Sequence, residues 1–267
     1  MSATNSVGLQ PQVIADWNLT NPAPRNLFWV GGTGNWQDSN HWSLASGGAA
    51  GQCPPTPLDN VRFNAASGLG AGSMVSTTLR WNFCKNMDWT GVTGGAKLYQ
   101  TPPPGTPNQM QVFGDLTFSG GMVNDYAGPF WMRAKGAATI TSAGNKFLER
   151  IYLYEPIGDW TLNDPMVVDY DFVHHYGKFR TNDFSVTLGR WWDNLYNEPS
   201  AEAFLGNSTI FLNGVYNTAC VLSNGCIVGF VAKQHLAGDG LHYEPRWFRA
   251  WPAETITEYH HNGQSWP

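Results

Sequence analysis

Five short stretches decide the fold: DLTFSG (115–120), AATITS (137–142), DWTLND (159–164), FSVTLG (184–189) and NSTIFL (207–212). Each places a threonine before an apolar residue, at Thr117, Thr139, Thr161, Thr187 and Thr209, with spacings of 22, 22, 26 and 22 by subtraction. MDWTGV (87–92) carries the series upstream to Thr90. A short Thr/apolar strand recurring near this period predicts stacked rungs, each too small to bury its own apolar face. Segments between them, such as ERIYLY (149–154) and MVVDYDFVHH (166–175), also alternate with period two, and SAGNK and RTND read as turns. No segment carries a convincing helical stripe. The expected fold is therefore all-β: a short β-solenoid, or β-helix, of roughly 22-residue rungs with aromatic caps and extended termini. The five threonines are expected in one angular position, with the longer step before Thr187 absorbed as a bulge or wider turn.

Ahead of the rungs lies FWVGGTGNWQDSNHWS (28–43), too polar and Gly-rich for a core helix and too aromatic for a linker. Trp29, Trp36 and Trp42 supply large buried area, and the glycines permit turns that fold them back. They are read as a structural cap over the first rung. Three parts follow: an extended N-terminal arm at 1–27, the solenoid with its cap at 28–237, and an aromatic cap or docking tail at 238–267 holding Trp247, Trp251 and Trp266.

Composition narrows the function. The 267 residues carry 13% charged side chains, a formal charge of −5 and 14% aromatics. A nucleic-acid binder needs a basic stripe that this chain lacks. No run approaches the roughly 20 apolar residues of a membrane span, and MSATNSVGLQPQVIADW does not read as a secretory signal. Cys53, Cys84, Cys220 and Cys226 have no CxxC spacing, so no zinc site is expected, and no cofactor either. Buried free thiols or a solvent-facing pair is the expectation.

Carboxylates matter because a β-helix can carry polysaccharide-cleaving chemistry. Asp159, Asp164, Asp169 and Asp171 lie near His174 and His175, and glycoside hydrolysis needs two carboxylates facing across a groove. Asp169 and Asp171 share a strand face if the strand runs through them, but LNDP and TND are ordinary turn sequences. The HH pairs at 174–175 and 260–261 are expected as solvated surface histidines, since neighbours on a strand face opposite ways. RWWDNLYNEP (190–199) interrupts the repeat. Its Trp191, Trp192 and Tyr196, with Trp247 and Trp251 of the tail, are the candidate contacts for a glycan or partner; the other reading of the loop is a cover for the solenoid edge.

FWVGGTGNWQDSNHWSLASGG, PPTPLDNVRFNAAS, CKNMDWTG, QVFGDLTFSGGM, ATITSAGNKF and DWTLNDPMVVDYDF together resemble a repeat module of large surface proteins of Bacteroidetes bacteria, with similar modules in proteins of phages that infect such hosts. The resemblance covers about residues 28–215. It implies a β-solenoid with an adhesive or structural role and no catalytic residues. Family proteins are long and tandem, whereas this chain has one module with dedicated ends. The expected function is a non-enzymatic structural or adhesive subunit of a phage virion: a head decoration, fibre or tail-associated protein contacting the host surface. Its expected partners are other virion proteins or copies of itself, and a host surface glycan. The alternatives are an extracellular bacterial cell-surface adhesin module and a polysaccharide-degrading β-helix enzyme.

Overall fold

The computed structural model describes residues 23–100, 108–189, 192–193, 201–212, 216–223, 226–234, 259–261 and 264–266, with side chains described as far as Phe211. The chain is an all-β solenoid of about six turns, and its described helical content is two single 3-10 turns, Ser39–His41 and Ala65–Ser67. It begins with β1 (Asn26–Trp29), β2 (Gly34–Asn35) and β3 (Trp42–Ser43). Each full coil then contributes three strands: β4 (Asn60–Arg62), β5 (Met74–Thr77) and β6 (Trp81–Cys84); β7 (Met87–Asp88), β8 (Ala96–Gln100) and β9 (Gln109–Val112); β10 (Leu116–Thr117), β11 (Met122–Asp125) and β12 (Phe130–Met132). Next come β13 (Ala137–Thr141), β14 (Lys146–Phe147) and β15 (Ile151–Leu153); β16 (Asp159–Leu162), β17 (Met166–Val168) and β18 (Phe172–His174); β19 (Gly177–Arg180), β20 (Val186–Leu188) and β21 (Trp192–Asp193). The strands β22 (Ala201–Phe204) and β23 (Ile210–Leu212) open a last coil. An antiparallel hairpin, β24 (Tyr216–Ser223) with β25 (Cys226–Gln234), meets β22; a second joins β26 (Tyr259–His261) to β27 (Gln264–Trp266).

Three parallel faces result. The first stacks β1, β4, β7, β10, β13, β16, β19 and β22; the third stacks β6, β9, β12, β15, β18 and β21. The second runs β2, β5, β8, β11 and resumes as β14, β17, β20, β23. At its break, side-chain amides replace the backbone ladder: Asn124 N–H donates to Asn145 Oδ1 (3.0 Å), and Asn124 Nδ2 donates to the Lys146 carbonyl (2.7 Å).

The core is a set of like-for-like columns. On the first face, Leu27, Val61, Met87, Leu116, Ile140 and Leu162 align rung upon rung, all buried. On the third, Met110, Phe130, Ile151 and Phe172 do the same. Each such side chain contributes about 1.5–3 kcal/mol by leaving water. Most of the coil strands whose side chains are described alternate between this interior and the outer surface, as in β8, β12 and β16.

The threonine series does not follow a single column. Thr139 aligns with Thr161, but Thr117 aligns with Thr141, and Thr161 aligns with Arg180. Thr187 lies on the second face, in register with Val167 and Phe211, and Thr209 immediately precedes β23 of that face. The step from Thr161 to Thr187 is thus one coil plus one face, and no bulge is needed to absorb it. The true repeat on the first face is a polar–apolar–polar triplet: Asn60-Val61-Arg62, Asn86-Met87-Asp88, Asp115-Leu116-Thr117, Thr139-Ile140-Thr141 and Thr161-Leu162-Asn163. Coil length varies because the connecting turns vary, so a fixed period drifts off the column. The first strand, β1, opens at Asn26, and Leu27 is buried.

Candidate functional site

At the N-terminal end the aromatic residues close the first coil. Trp29, Trp36 and Trp42 are buried, together with Phe63 and Trp89. Trp42 meets Trp29 and Trp36 edge-on at 5.1 Å in each case, and Phe63 stacks on Trp89 at 3.9 Å. Two of the indole N–H groups are satisfied locally: Trp29 Nε1 donates to the Gly32 carbonyl (2.7 Å) and Trp42 Nε1 to the Trp36 carbonyl (2.8 Å). His41 stacks on Trp29 at 4.6 Å and donates from Nδ1 to the Val30 carbonyl (2.8 Å). This explains the spacing of the motif. Gly31 and Gly32 turn the chain at positive φ, 84° and 74°, and a Cβ on Gly34 would sit 2.0 Å from His41 Nε2. Asp38 starts the 3-10 turn that delivers His41 by accepting from the Asn40 N–H (2.9 Å).

The entering chain is fastened at Asp59, from the PTPLDNVRF stretch. Arg25 donates from its backbone N (3.0 Å) and Nε (2.9 Å) to Asp59 Oδ1 and from Nη2 to Oδ2 (2.7 Å). Thr56 donates to Oδ2 from its N–H and hydroxyl, both at 2.8 Å. Burial raises the Asp59 carboxyl, but these donors outweigh it and bring it down to about 2; the Arg25 guanidinium is raised in return by the bond to Asp59.

The outer side of the first face carries a groove of about 230 Å³ spanning three coils. Two columns flank it: Asn60, Asn86 and Asp115, and beside them Arg62, Asp88 and Thr117. The first column is bonded along its length. Asn60 Nδ2 donates to Asn26 Oδ1 (3.0 Å), Asn86 Nδ2 to Asn60 Oδ1 (2.9 Å), the Asp115 N–H to Asn86 Oδ1 (2.7 Å), and the Thr139 N–H and hydroxyl to Asp115 Oδ1 (2.8 and 3.1 Å). Asp88 Oδ1 accepts from the Thr90 N–H (2.9 Å) and hydroxyl (2.7 Å), while Oδ2 lies 3.5 Å from Arg62 Nη1. The side chains are thus held in place across rungs, and the carboxylates act as fixed acceptors.

The outer side of the third face is aromatic instead. Trp131 stacks on Tyr152 at 4.2 Å, Tyr154 meets Trp131 edge-on at 5.0 Å, and Tyr176 meets Tyr154 edge-on at 5.3 Å. Arg133 lies over the rings of Phe113 and Tyr154, at 5.7 and 5.6 Å. Trp131 and Tyr152, in register on adjacent coils, turn their ring faces to each other. Neither the groove nor this strip was among the candidates read from sequence. Their signal was the outward residue of short strands, Asn60 and Arg62 in NVR, Trp131 in FWM and Tyr152 in IYL, which becomes visible only once the coil register is known.

The four aspartates near the histidine pair do not converge. Asp159 pairs with Arg180 (2.8 Å) on the first face, and Asp164 accepts from the Ser142 (2.7 Å) and Ala143 backbone N–H groups at the next corner. Asp169 and Asp171 lie in the turn between β17 and β18, not on one strand face, and pair with Lys146 (3.3 Å) and Arg150 (2.9 Å). His174 and His175 are not solvated: they are 3% and 4% exposed. His174 points into the core because β18 alternates from Phe172; burial depresses it to about 4, and Nε2 donates to the Gly177 carbonyl (3.0 Å). Cys53 is exposed and Cys84 buried, both free thiols, and burial raises the Cys84 thiol. Trp192 lies on β21 in register with Phe172, so the RWWDNLYNEP stretch contributes a strand to the third face. Trp191, Tyr196, Trp247 and Trp251, and the side chains of Trp192, Cys220, Cys226, His260 and His261, lie outside the described residues.

Scans of family models, curated proteins and solved structures yield no match to this chain.

Proposed function

We propose that this chain is a non-enzymatic adhesive and structural subunit of a phage virion, a decoration, fibre or tail-associated protein that touches the host surface. The observation that carries the adhesive part is the groove on the first face, whose polar side chains are bonded to one another before any ligand arrives. Preorganised donors and acceptors lower the ordering cost of binding. The non-enzymatic reading is supported by the way Asp88, Asp115, Asp159, Asp164, Asp169 and Asp171 each hold a neighbouring group of the scaffold. The virion setting rests on the resemblance of residues 28–215 to phage and Bacteroidetes surface modules, and the termini, 1–27 and from Gly238, are the proposed attachment to other virion proteins or to a second copy.

The test has two arms. Antibodies against the chain are applied to purified phage particles of the same source, and fluorescent full-length chain is applied to the host cells. Labelled particles and labelled cells are expected. Unlabelled particles with labelled cells would move the protein to the bacterial surface. Release of oligosaccharides from host polysaccharide by the purified chain would overturn the non-enzymatic reading.

A further inference from the structure

We infer that the groove on the first face is a binding site for a neutral, hydroxyl-rich glycan chain lying along the solenoid axis. This rests on the adhesive reading above and names the ligand class. The groove repeats one arrangement three times: Asn60 with Arg62, Asn86 with Asp88, and Asp115 with Thr117. Each pair brackets an inward apolar residue, Val61, Met87 or Leu116; Asn60 and Arg62 both belong to β4, whereas Asn86 and Asp115 immediately precede β7 and β10. Successive pairs are about 4.8 Å apart along the axis, a step comparable with one sugar ring of an extended chain. A ligand with a repeating pattern of hydroxyls therefore meets polar groups at each step: an amide and a guanidinium, an amide and a carboxylate, then a carboxylate and a hydroxyl.

Hydrogen-bonding capacity points the same way. An ionised carboxylate offers about four acceptor sites and a primary amide two donors. The described bonds to Asp115 fall on Oδ1, and the amides of Asn60 and Asn86 each give one donor to the ladder. Arg62 is half exposed on the rim. Acceptors and donors thus stand side by side, which suits hydroxyl groups, since each is both donor and acceptor. Charge selects among glycans. The groove holds two carboxylates and one guanidinium in a chain of formal charge −5, so a uronate or sulfated chain is repelled.

The experiment uses the full-length chain and three neutral hexasaccharides, of α-1,4-glucose, β-1,4-glucose and β-1,4-N-acetylglucosamine, with hexagalacturonate as the anionic comparison, each titrated calorimetrically. At least one neutral hexamer should bind and hexagalacturonate should not. Arg62→Ala and Thr117→Ala should each weaken that binding about tenfold, the scale of one hydrogen bond involving a charged or polar group. Thr187→Ala, on the second face, should leave it unchanged, and all three variants should keep the wild-type melting temperature within a few degrees. Failure of every neutral hexamer, preference for hexagalacturonate, or equal affinity in Arg62→Ala and Thr117→Ala overturns the proposal. Attachment of the labelled chain to host cells separates the two claims. Cells bound equally by wild type and by the Arg62→Ala/Thr117→Ala double variant defeat the groove and leave adhesion standing; groove-dependent hexamer binding by a chain that ignores cells defeats adhesion and leaves the groove.

Discussion

The N-terminal cap and the coils behind it reach stability by opposite routes. In the cap each residue has a role of its own. Trp29 receives the His41 ring, Gly34 leaves room for it, Trp42 fills the angle between Trp29 and Trp36 and donates to the Trp36 carbonyl, and Asp59 holds Arg25. In the coils one role is filled many times over, by Val61, Met87, Leu116, Ile140 and Leu162 in one column. A stack of near-equivalent rungs gains its stability from nearest-neighbour terms and tolerates change at any one level. Among the described residues the cap has a coil on one side only, so errors there are not shared between two neighbours.

The largest expected effect follows from that contrast. Trp36→Ala should cost roughly 3–5 kcal/mol, as for other buried tryptophans, because no adjacent coil slides in to fill the space. Ile140→Val, one methylene in the middle of the column, should cost only ~0.5–1.5 kcal/mol. Urea denaturation followed by tryptophan fluorescence measures both. Similar midpoint shifts for the two would erase the distinction between cap and coil.

The same contrast governs what was legible in the sequence. FWVGGTGNW is conspicuous in the sequence because so many large rings stand among glycines, and Trp29, Trp36 and Trp42 are buried. The solenoid was readable as a class because short period-two strands recur between turns. The register was not. Any apolar residue satisfies an interior column, so Thr117 and Thr139, 22 residues apart, looked equivalent although Thr117 stands beside Thr141. The groove was missed for the same reason, since Asn86 and Asp115 become neighbours only when Met87 and Leu116 are placed in one column. The histidines were misjudged because alternation places only one of two neighbours outside, and burial of His175, which follows β18, depends on packing beyond that strand.

Gly34→Ala tests the cap's tight fit. Its Cβ would lie 2.0 Å from His41 Nε2, so the imidazole must leave its place on Trp29 or the backbone must shift. A cost of roughly 1–3 kcal/mol is expected for such overpacking. In a His41→Ala background the same substitution should cost little, and the double-mutant cycle reads the difference. Equal costs in both backgrounds would mean that the two residues are not coupled.

Asp59 gives the cap a pH signature. Its folded pKa, about 2, lies below the ordinary carboxylate range. The stabilisation is therefore complete above the unfolded value near 4 and is lost as pH falls through that value toward 2. The loss should amount to roughly 1–2 kcal/mol, reduced from the full shift because Arg25 is partly in solvent. In Asp59→Asn this part of the acid dependence should vanish. A wild-type acid limb that survives unchanged in the variant would assign it to other carboxylates.

An effect as small as that of Ile140→Val belongs to the groove ladder, which lies at an open surface. Asn86 donates to Asn60 Oδ1 and accepts from the Asp115 N–H, so Asn86→Ala removes two hydrogen bonds from the outer face while leaving Met87 and the column beneath it in place. Water can replace both partners at an open groove, so the net cost should be only ~0.5–1.5 kcal/mol. Because Asp115 in turn holds Thr139, the loss should travel one rung, with faster amide exchange at Asp115 and Thr139 and none added at Leu162. Hydrogen exchange read residue by residue by NMR distinguishes this from a cap-like response. If Asn86→Ala cost as much as Trp36→Ala, the ladder would be holding the coils together rather than arranging their outer surface.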